Sequence, residues 1–276
     1  ESLCLRLMDD HGIHAMVTSF STPHVHFGDA QKALSLSRRC NDYAMDLVRR
    51  HPGRFGSFAV LPLPDIDLAC REAVTALDER HAEGVVVLAS YGKTFFGDPM
   101  FEPLFAELDQ RSAVVFVHPT QHPEAAGLGL DLPLFVAEYP INTARAAINL
   151  ITKDVIRRYP KIRFLLAHGG GVLPYLSWRF AIPRVPPVFA MEPLQALRHF
   201  WYDIALAAGP AQLATLKEVA LPERILFGTD WPYTSEATVA LTVKDFSDID
   251  FLSAERKRAI EVDNSLALFP RLANAQ

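Results

Sequence analysis

Seven short apolar runs recur along the chain, at 13–19, 54–62, 84–90, 113–118, 162–168, 201–206 and 224–230. They are apolar throughout rather than alternating, as strands covered on both faces are. Between them, stretches of helical period carry apolar stripes. Leu36, Cys40, Ala44 and Leu47 form one, Phe101, Leu104, Phe105 and Leu108 a second, and Ala147, Leu150, Ile151 and Val155 a third. Pro210 stands where a further helix would begin, a position that tolerates its missing N–H. Buried strands alternating with helices imply a parallel sheet, which right-handed crossovers either close into a barrel or wind doubly. No GxGxxG follows an early strand, so the pattern predicts an α/β chain folded as a (β/α)8 TIM barrel. The runs are one short of eight, and the residues before the first of them, SLCLRLMDDHGI, read as the tail of a helix. The expectation is a single domain over 1–276 whose first strand is absent and which is incomplete at its N-terminal side.

Three runs stop at a residue that can carry chemistry: Val114–Val117 at His118, Leu165–Ala167 at His168, and Ile225–Thr229 at Asp230. Each is followed at once by residues that break a strand. In a parallel barrel, catalytic groups sit where strands end and βα loops begin, so these three side chains are aimed at one mouth. Imidazole and carboxylate together suit a divalent ion that keeps open positions for substrate. A single His after a single apolar run reads as a buried, satisfied histidine. Three such endings are not explained by core packing alone.

Net charge is −5 and pI about 6.1, and the basic residues are scattered, which argues against nucleic acid as a partner. The one dense basic group, Arg256-Lys257-Arg258, reads as a solvated helix face. No apolar run reaches the ~18–20 residues that cross a bilayer, and Glu1 to Asp10 lack the pattern of a signal peptide. Cys4, Cys40 and Cys70 lie far apart with no CxxC, as expected of reduced thiols in a cytoplasmic protein. Cys40 and Cys70 fall on helical apolar faces and read as core packing.

His118-Pro119, His168-Gly169-Gly170-Gly171 and Gly228-Thr229-Asp230-Trp231-Pro232, taken as a set, resemble the amidohydrolase-related decarboxylases. That family includes aminocarboxymuconate semialdehyde, γ-resorcylate and 5-carboxyvanillate decarboxylases. The stretch from Phe55 to Phe116 is most similar to its 6-methylsalicylate branch. The resemblance implies a distorted (β/α)8 barrel that binds one divalent ion, zinc or manganese, and releases CO₂ from a carboxylated ring or enoate. It implies His118 and Asp230 as metal ligands, and His168 beside the metal as acid/base or water-orienting group. It also implies Arg179, eleven residues beyond His168, as a grip on the substrate carboxylate, in some relatives from the neighbouring subunit of a homodimer. A guanidinium matches a planar carboxylate, although an ordinary surface salt bridge explains one helical Arg nearly as well.

The family's first strand carries an HxH or ExH pair of further metal ligands, and that strand is missing here. His24-Val25-His26 is an HxH, but it follows the run that aligns with the family's second strand and sits in a loop. There the spacing fixes no common direction. The pair reads as part of a βα loop near the mouth, with metal binding as the alternative. Gly169–Gly171 serve either a tight turn or close approach of backbone N–H groups to a substrate oxygen. Trp231 and Tyr233 are candidates for stacking on an aromatic substrate, with plain packing as the alternative. Lys93 is a candidate for anion attraction, and Asn264 for tying down the last helix.

The function expected is metal-dependent, non-oxidative decarboxylation of a small carboxylate, a hydroxybenzoate or related unsaturated acid, with Asp230 as proton donor to the ring and His168 as its partner. The same residues with a metal-activated water would instead hydrolyse a lactone, ester or amide. A barrel short of one strand could also be non-catalytic or a fragment.

Overall fold

The computed structural model describes residues 1–128, 131–182 and 189–274. Its strands are β1 (Met16–Thr18), β2 (Phe55–Val60), β3 (Gly84–Leu88), β4 (Ser90–Tyr91), β5 (Thr94–Phe95), β6 (Val114–His118), β7 (Arg163–Leu166), β8 (Trp201–Asp203) and β9 (Ile225–Leu226). Each expected run contains one strand of a seven-stranded sheet, in the order β1-β2-β3-β6-β7-β8-β9. Every pairing in it is parallel, from Met16 opposite Phe55 to Asp203 opposite Leu226. β4 and β5 form a separate antiparallel hairpin just past β3.

Alternate side chains of these strands point to opposite faces, and both faces are apolar. Ala59, Val85, Val87, Val115, Val117, Phe164 and Leu166 pack outward among the helices. Phe58, Val60, Val86, Val114, Phe116, Leu165 and Leu226 pack inward with Leu268, Phe269 and Leu272. Val114, Phe116 and His118 share the inward parity, and this aims His118 at the barrel axis. Such a double-faced core is why the runs show no polar alternation.

β1 and β9 are the two edges of the sheet and do not pair with each other. A cavity of about 670 Å³ occupies this side of the molecule, lined by Met16, Val17 and Thr18 from β1, by Leu226 from β9, and by Phe58, Phe116 and Phe269 from the interior. The arrangement is that of a (β/α)8 barrel with seven of its strands, the gap lying between the first and last apolar runs as expected.

Helix Ala30–Arg50 departs from its expected stripe. Leu36, Cys40 and Ala44 are only partly buried, whereas Ala33, Ser37, Asn41 and Met45 face fully inward. The reason is polar. Asn41 donates to the carbonyl of Val60 at 3.1 Å and accepts from its N–H at 2.9 Å, and also donates to Glu72 at 2.8 Å. Glu72 is buried and takes Arg38 and Arg80 as partners. The other two stripes are buried, and Pro210 opens helix Pro210–Val219. Cys4, Cys40 and Cys70 are free thiols packed against core clusters. Asn264 donates to the carbonyls of Pro222 and Ile225, pinning the last helices to the start of β9. Among the described residues, no helix is long and apolar enough to cross a membrane.

Candidate active site

His118 closes β6, His168 follows β7 by two residues, and Asp230 lies in the loop after β9. Their ligand atoms lie within 4.8 Å of one another. Asp230 Oδ1 is 3.7 Å from His118 Nε2, and Asp230 Oδ2 is 3.6 Å from His168 Nε2. These are ion-pair distances, too long for hydrogen bonds. His118 Nδ1 donates to the carbonyl of Pro119 at 2.9 Å, which fixes the tautomer and turns a bare Nε2 lone pair toward the cluster. That Nε2 is buried and finds no hydrogen-bond partner among the described residues. A buried acceptor left bare costs free energy, so the site is built for an electrophile. Two imidazoles and a carboxylate fit a divalent ion of the zinc or manganese type.

His168 and Asp230 both hold left-handed backbone, at φ 58° and 59°, a conformation that costs a non-glycine residue free energy and often marks functional sites. Burial pushes the Asp230 carboxyl upward, but the facing imidazoles of His118 and His168 more than reverse this and hold it at about 2. Burial by itself would lower His168, yet the charges of Asp230 and Asp203 outweigh it and raise the imidazole above its ordinary value.

Asp203, at the end of β8, escaped the sequence reading. It is buried, and its Oδ1 accepts the backbone N–H of His168 at 3.1 Å and of Ala205 at 2.9 Å. Burial raises its pKa. It is a positioning residue that holds the strained His168 backbone. The apolar run at 201–206 continues past Asp203, so the carboxylate lay inside the run and not at its end, although the strand itself stops there after only three residues.

Gly169, Gly170 and Gly171 all have positive φ. A Cβ on Gly171 would sit 2.1 Å from the carbonyl oxygen of Pro140, and one on Gly170 2.9 Å from the Tyr202 ring. The N–H groups of Gly170 and Gly171 donate to Ala167 and His168. The glycines therefore serve turn geometry and close packing, and those two donors are already engaged within the turn.

A cavity of about 950 Å³ opens over the cluster, lined by His118, His168 and Asp230 at its base. Tyr233 lines it and roofs one side, its hydroxyl donating to the carbonyl of Thr22 at 2.7 Å. Thr22 in turn donates to Thr120 at 3.2 Å, which ties the loops after β1 and β6. Trp231 lines the cavity in the β1–β9 gap, which His168, Asp203, Asp230 and Tyr233 line as well. Arg179 is exposed on helix Ser177–Ala181 and lines neither cavity. Lys93 is paired with Glu124 at 2.8 Å and also lines neither. His24 is buried with left-handed φ of 65°, its ring edge-on to Tyr91 at 5.7 Å, and His26 accepts from the N–H of Gly28. Neither belongs to the His118–His168–Asp230 cluster, in keeping with the loop reading.

A family model described as amidohydrolase matches residues 6–271. A 6-methylsalicylic acid decarboxylase of Penicillium expansum is 35% identical over 252 residues, which cover 88% of this chain and 78% of that protein. A solved structure described as an amidohydrolase II superposes with a TM-score of 0.92 at 31% identity, covering 98% of this chain and 88% of that one. A dihydroxybenzoic acid decarboxylase of Polaromonas sp. JS666, solved with manganese and 2-nitroresorcinol, superposes with a TM-score of 0.88 at 25% identity, covering 98% of this chain and 86% of that one. With its barrel, its His-His-Asp cluster and a family match that runs nearly from end to end, the chain belongs to the amidohydrolase family.

Proposed function

We propose that this protein is a metal-dependent, non-oxidative decarboxylase of a small aromatic carboxylate, a 2-hydroxybenzoate. The observation that carries the reading is the bare, buried Nε2 of His118 facing Asp230 and His168 at the base of a cavity. The likeness to decarboxylases of 6-methylsalicylate and dihydroxybenzoate supports the choice over hydrolysis. His118 and Asp230 are the ligands for one divalent ion, zinc or manganese, which when bound supplies Lewis-acid polarisation of the substrate's carboxylate and phenol oxygens.

Losing CO₂ directly from the ring would leave an aryl carbanion, far too basic to form unassisted. Protonating the ring carbon that bears the carboxylate avoids it. The carbon–carbon bond then breaks, its electron pair restores the aromatic ring, and CO₂ departs. The His168–Asp230 pair handles that proton. Asp230 Oδ2, 3.6 Å from His168 Nε2, passes it to the ring. Separations of this size in a substrate-free site tighten when substrate binds. Tyr233, held by its bond to Thr22, covers the ring from one side, and Trp231 borders the site from the gap.

The reading extends to a single domain and to a cytoplasmic homodimer. Free thiols accord with a reducing compartment. Tyr175, Trp178 and Ile182, spaced three and four residues apart, leave a large apolar surface exposed next to Arg179. On this reading Arg179 grips a carboxylate only across the subunit interface.

The test is turnover of the manganese- or zinc-loaded protein on 6-methylsalicylate and 2,6-dihydroxybenzoate, with a panel of aryl esters and lactones beside them. CO₂ release from the acids with no comparable ester or lactone turnover is expected. The reverse pattern would make the protein a hydrolase.

A further inference from the structure

The 950 Å³ cavity over the His118–His168–Asp230 cluster is far larger than a bare hydroxybenzoate needs. Cavities of about 300–1,000 Å³ enclose whole drug-sized ligands, and a ring with one carboxylate and one hydroxyl fills a small part of that. The lining is also one-sided in its chemistry. Apart from the cluster itself, no Lys, Arg, Asp or Glu lines the cavity among the described residues. Phe135, Val136, Val172, Pro174, Leu206 and Leu216 supply an apolar wall. Phe135 and Val136 are 56% and 51% exposed, and Leu206 is 40% exposed, so this wall presents apolar surface for a ligand to cover.

Resting on the decarboxylase reading, we propose that the preferred substrate is a hydroxybenzoate with a single carboxylate and an extended, uncharged apolar substituent on its ring. Within one subunit, the His118–His168–Asp230 cluster is the charged site that the carboxylate can meet among the described residues. Within one subunit, a second charged group elsewhere in the cavity would lose water and meet no counter-charge among the described lining residues, at a large free-energy cost. An alkyl chain would lose water against Phe135, Val136 and Leu206 and gain from it. Each methylene fully covered is worth about a fourfold gain in affinity, and part of that gain survives on a partly open wall. Tyr233, Gln212 and Thr215 line the same cavity and can meet a ring hydroxyl without demanding charge.

The experiment is kcat/KM for CO₂ release by the manganese-loaded protein across 4- and 6-alkyl-2-hydroxybenzoates, from methyl to pentyl, with 4-hydroxyisophthalate as the dicarboxylate comparator. In at least one alkyl series kcat/KM should climb roughly two- to fourfold per methylene, and the dicarboxylate should lie below the methyl compound. Phe135→Ala, a change at an exposed position, should flatten the climb, lowering kcat/KM more for the pentyl than for the methyl compound. Flat or falling series with the methyl compound still decarboxylated, or a faster dicarboxylate, would overturn the proposal and leave the decarboxylase reading standing. No CO₂ from any of these acids would bring down both.

Discussion

Asp203 offers the sharpest test of how the site is held, because it touches His168 only through the backbone. Asp203→Ala removes the acceptor of two buried donors, the N–H groups of His168 at 3.1 Å and Ala205 at 2.9 Å. A buried donor left unsatisfied costs about 1–3 kcal/mol. Removing a carboxylate that burial already penalises returns part of this, leaving a net loss of about 2–3 kcal/mol. For a chain of this size that is a drop of roughly 5–10 °C in Tm. His168 sits at φ 58°, and without its clamp the imidazole relaxes away from Asp230. Displacements of about 1 Å near reacting groups cost up to ~100-fold in rate, so kcat should fall about 10- to 100-fold with KM little changed. Asp203→Asn keeps one oxygen in the same place and should recover kcat to within about fivefold and most of the Tm. The assays are CO₂ release and calorimetry on metal-loaded protein. An Ala variant with the parent's kcat and a Tm within about 2 °C of it would refute the clamp. An Asn variant as slow as Ala would move the role from geometry to charge.

His118→Ala should abolish tight binding of one manganese or zinc ion, measured by metal analysis after dialysis. It should also erase metal-induced stabilisation, about 2.7 kcal/mol when the ion stands at 100 times its Kd; retained stoichiometric metal would contradict its place as a ligand. Gly171→Ala should destabilise the fold by several kcal/mol or prevent its recovery. Its Cβ would lie 2.1 Å from Pro140 O at a φ of +63°, a clash on top of the usual left-handed penalty of ~1–3 kcal/mol; a soluble variant with unchanged Tm would be the contrary result. Burial, with the nearby His26, holds the His24 imidazole at about 4, below its ordinary 6.5. The unfolded chain takes a proton there that the folded one refuses, so this contribution is complete above pH 6.5 and is lost as pH falls toward 4, about 3 kcal/mol in all. His24→Asn, with a side chain that tolerates left-handed φ, should flatten the fall of Tm across that window; an equally steep fall would show that His24 is not the group responsible.

The barrel was legible because its strands are buried on both faces and read as plain apolar runs. The cluster was legible because His118, His168 and Asp230 each end such a run. What periodicity cannot show is where polar groups find partners. Ser37 and Asn41 face inward on helix Ala30–Arg50 because Asn41 bonds the backbone of Val60, and hydrophobic pattern alone assigns the inward face to Leu36 and Cys40. Asp203 was hidden inside its apolar run, and its role depends on a contact 35 residues away in sequence. The His24-Val25-His26 pair reads from sequence as part of a βα loop, but the left-handed φ at His24 and its burial beside Tyr91 are properties of that loop that spacing does not encode.

On the proposed reading, His118, His168 and Asp230 together carry out decarboxylation by protonating the ring carbon. Its most direct test is turnover of carboxyl-labelled carbon-13 6-methylsalicylate by the manganese-loaded protein in heavy water, followed by NMR. Labelled CO₂ and 3-methylphenol are expected in equal amounts, with a single deuterium on the carbon that carried the carboxylate, and this product should be lost in the His168→Ala and Asp230→Ala variants. Metal-loaded protein that leaves the labelled acid intact while hydrolysing esters or lactones would contradict it.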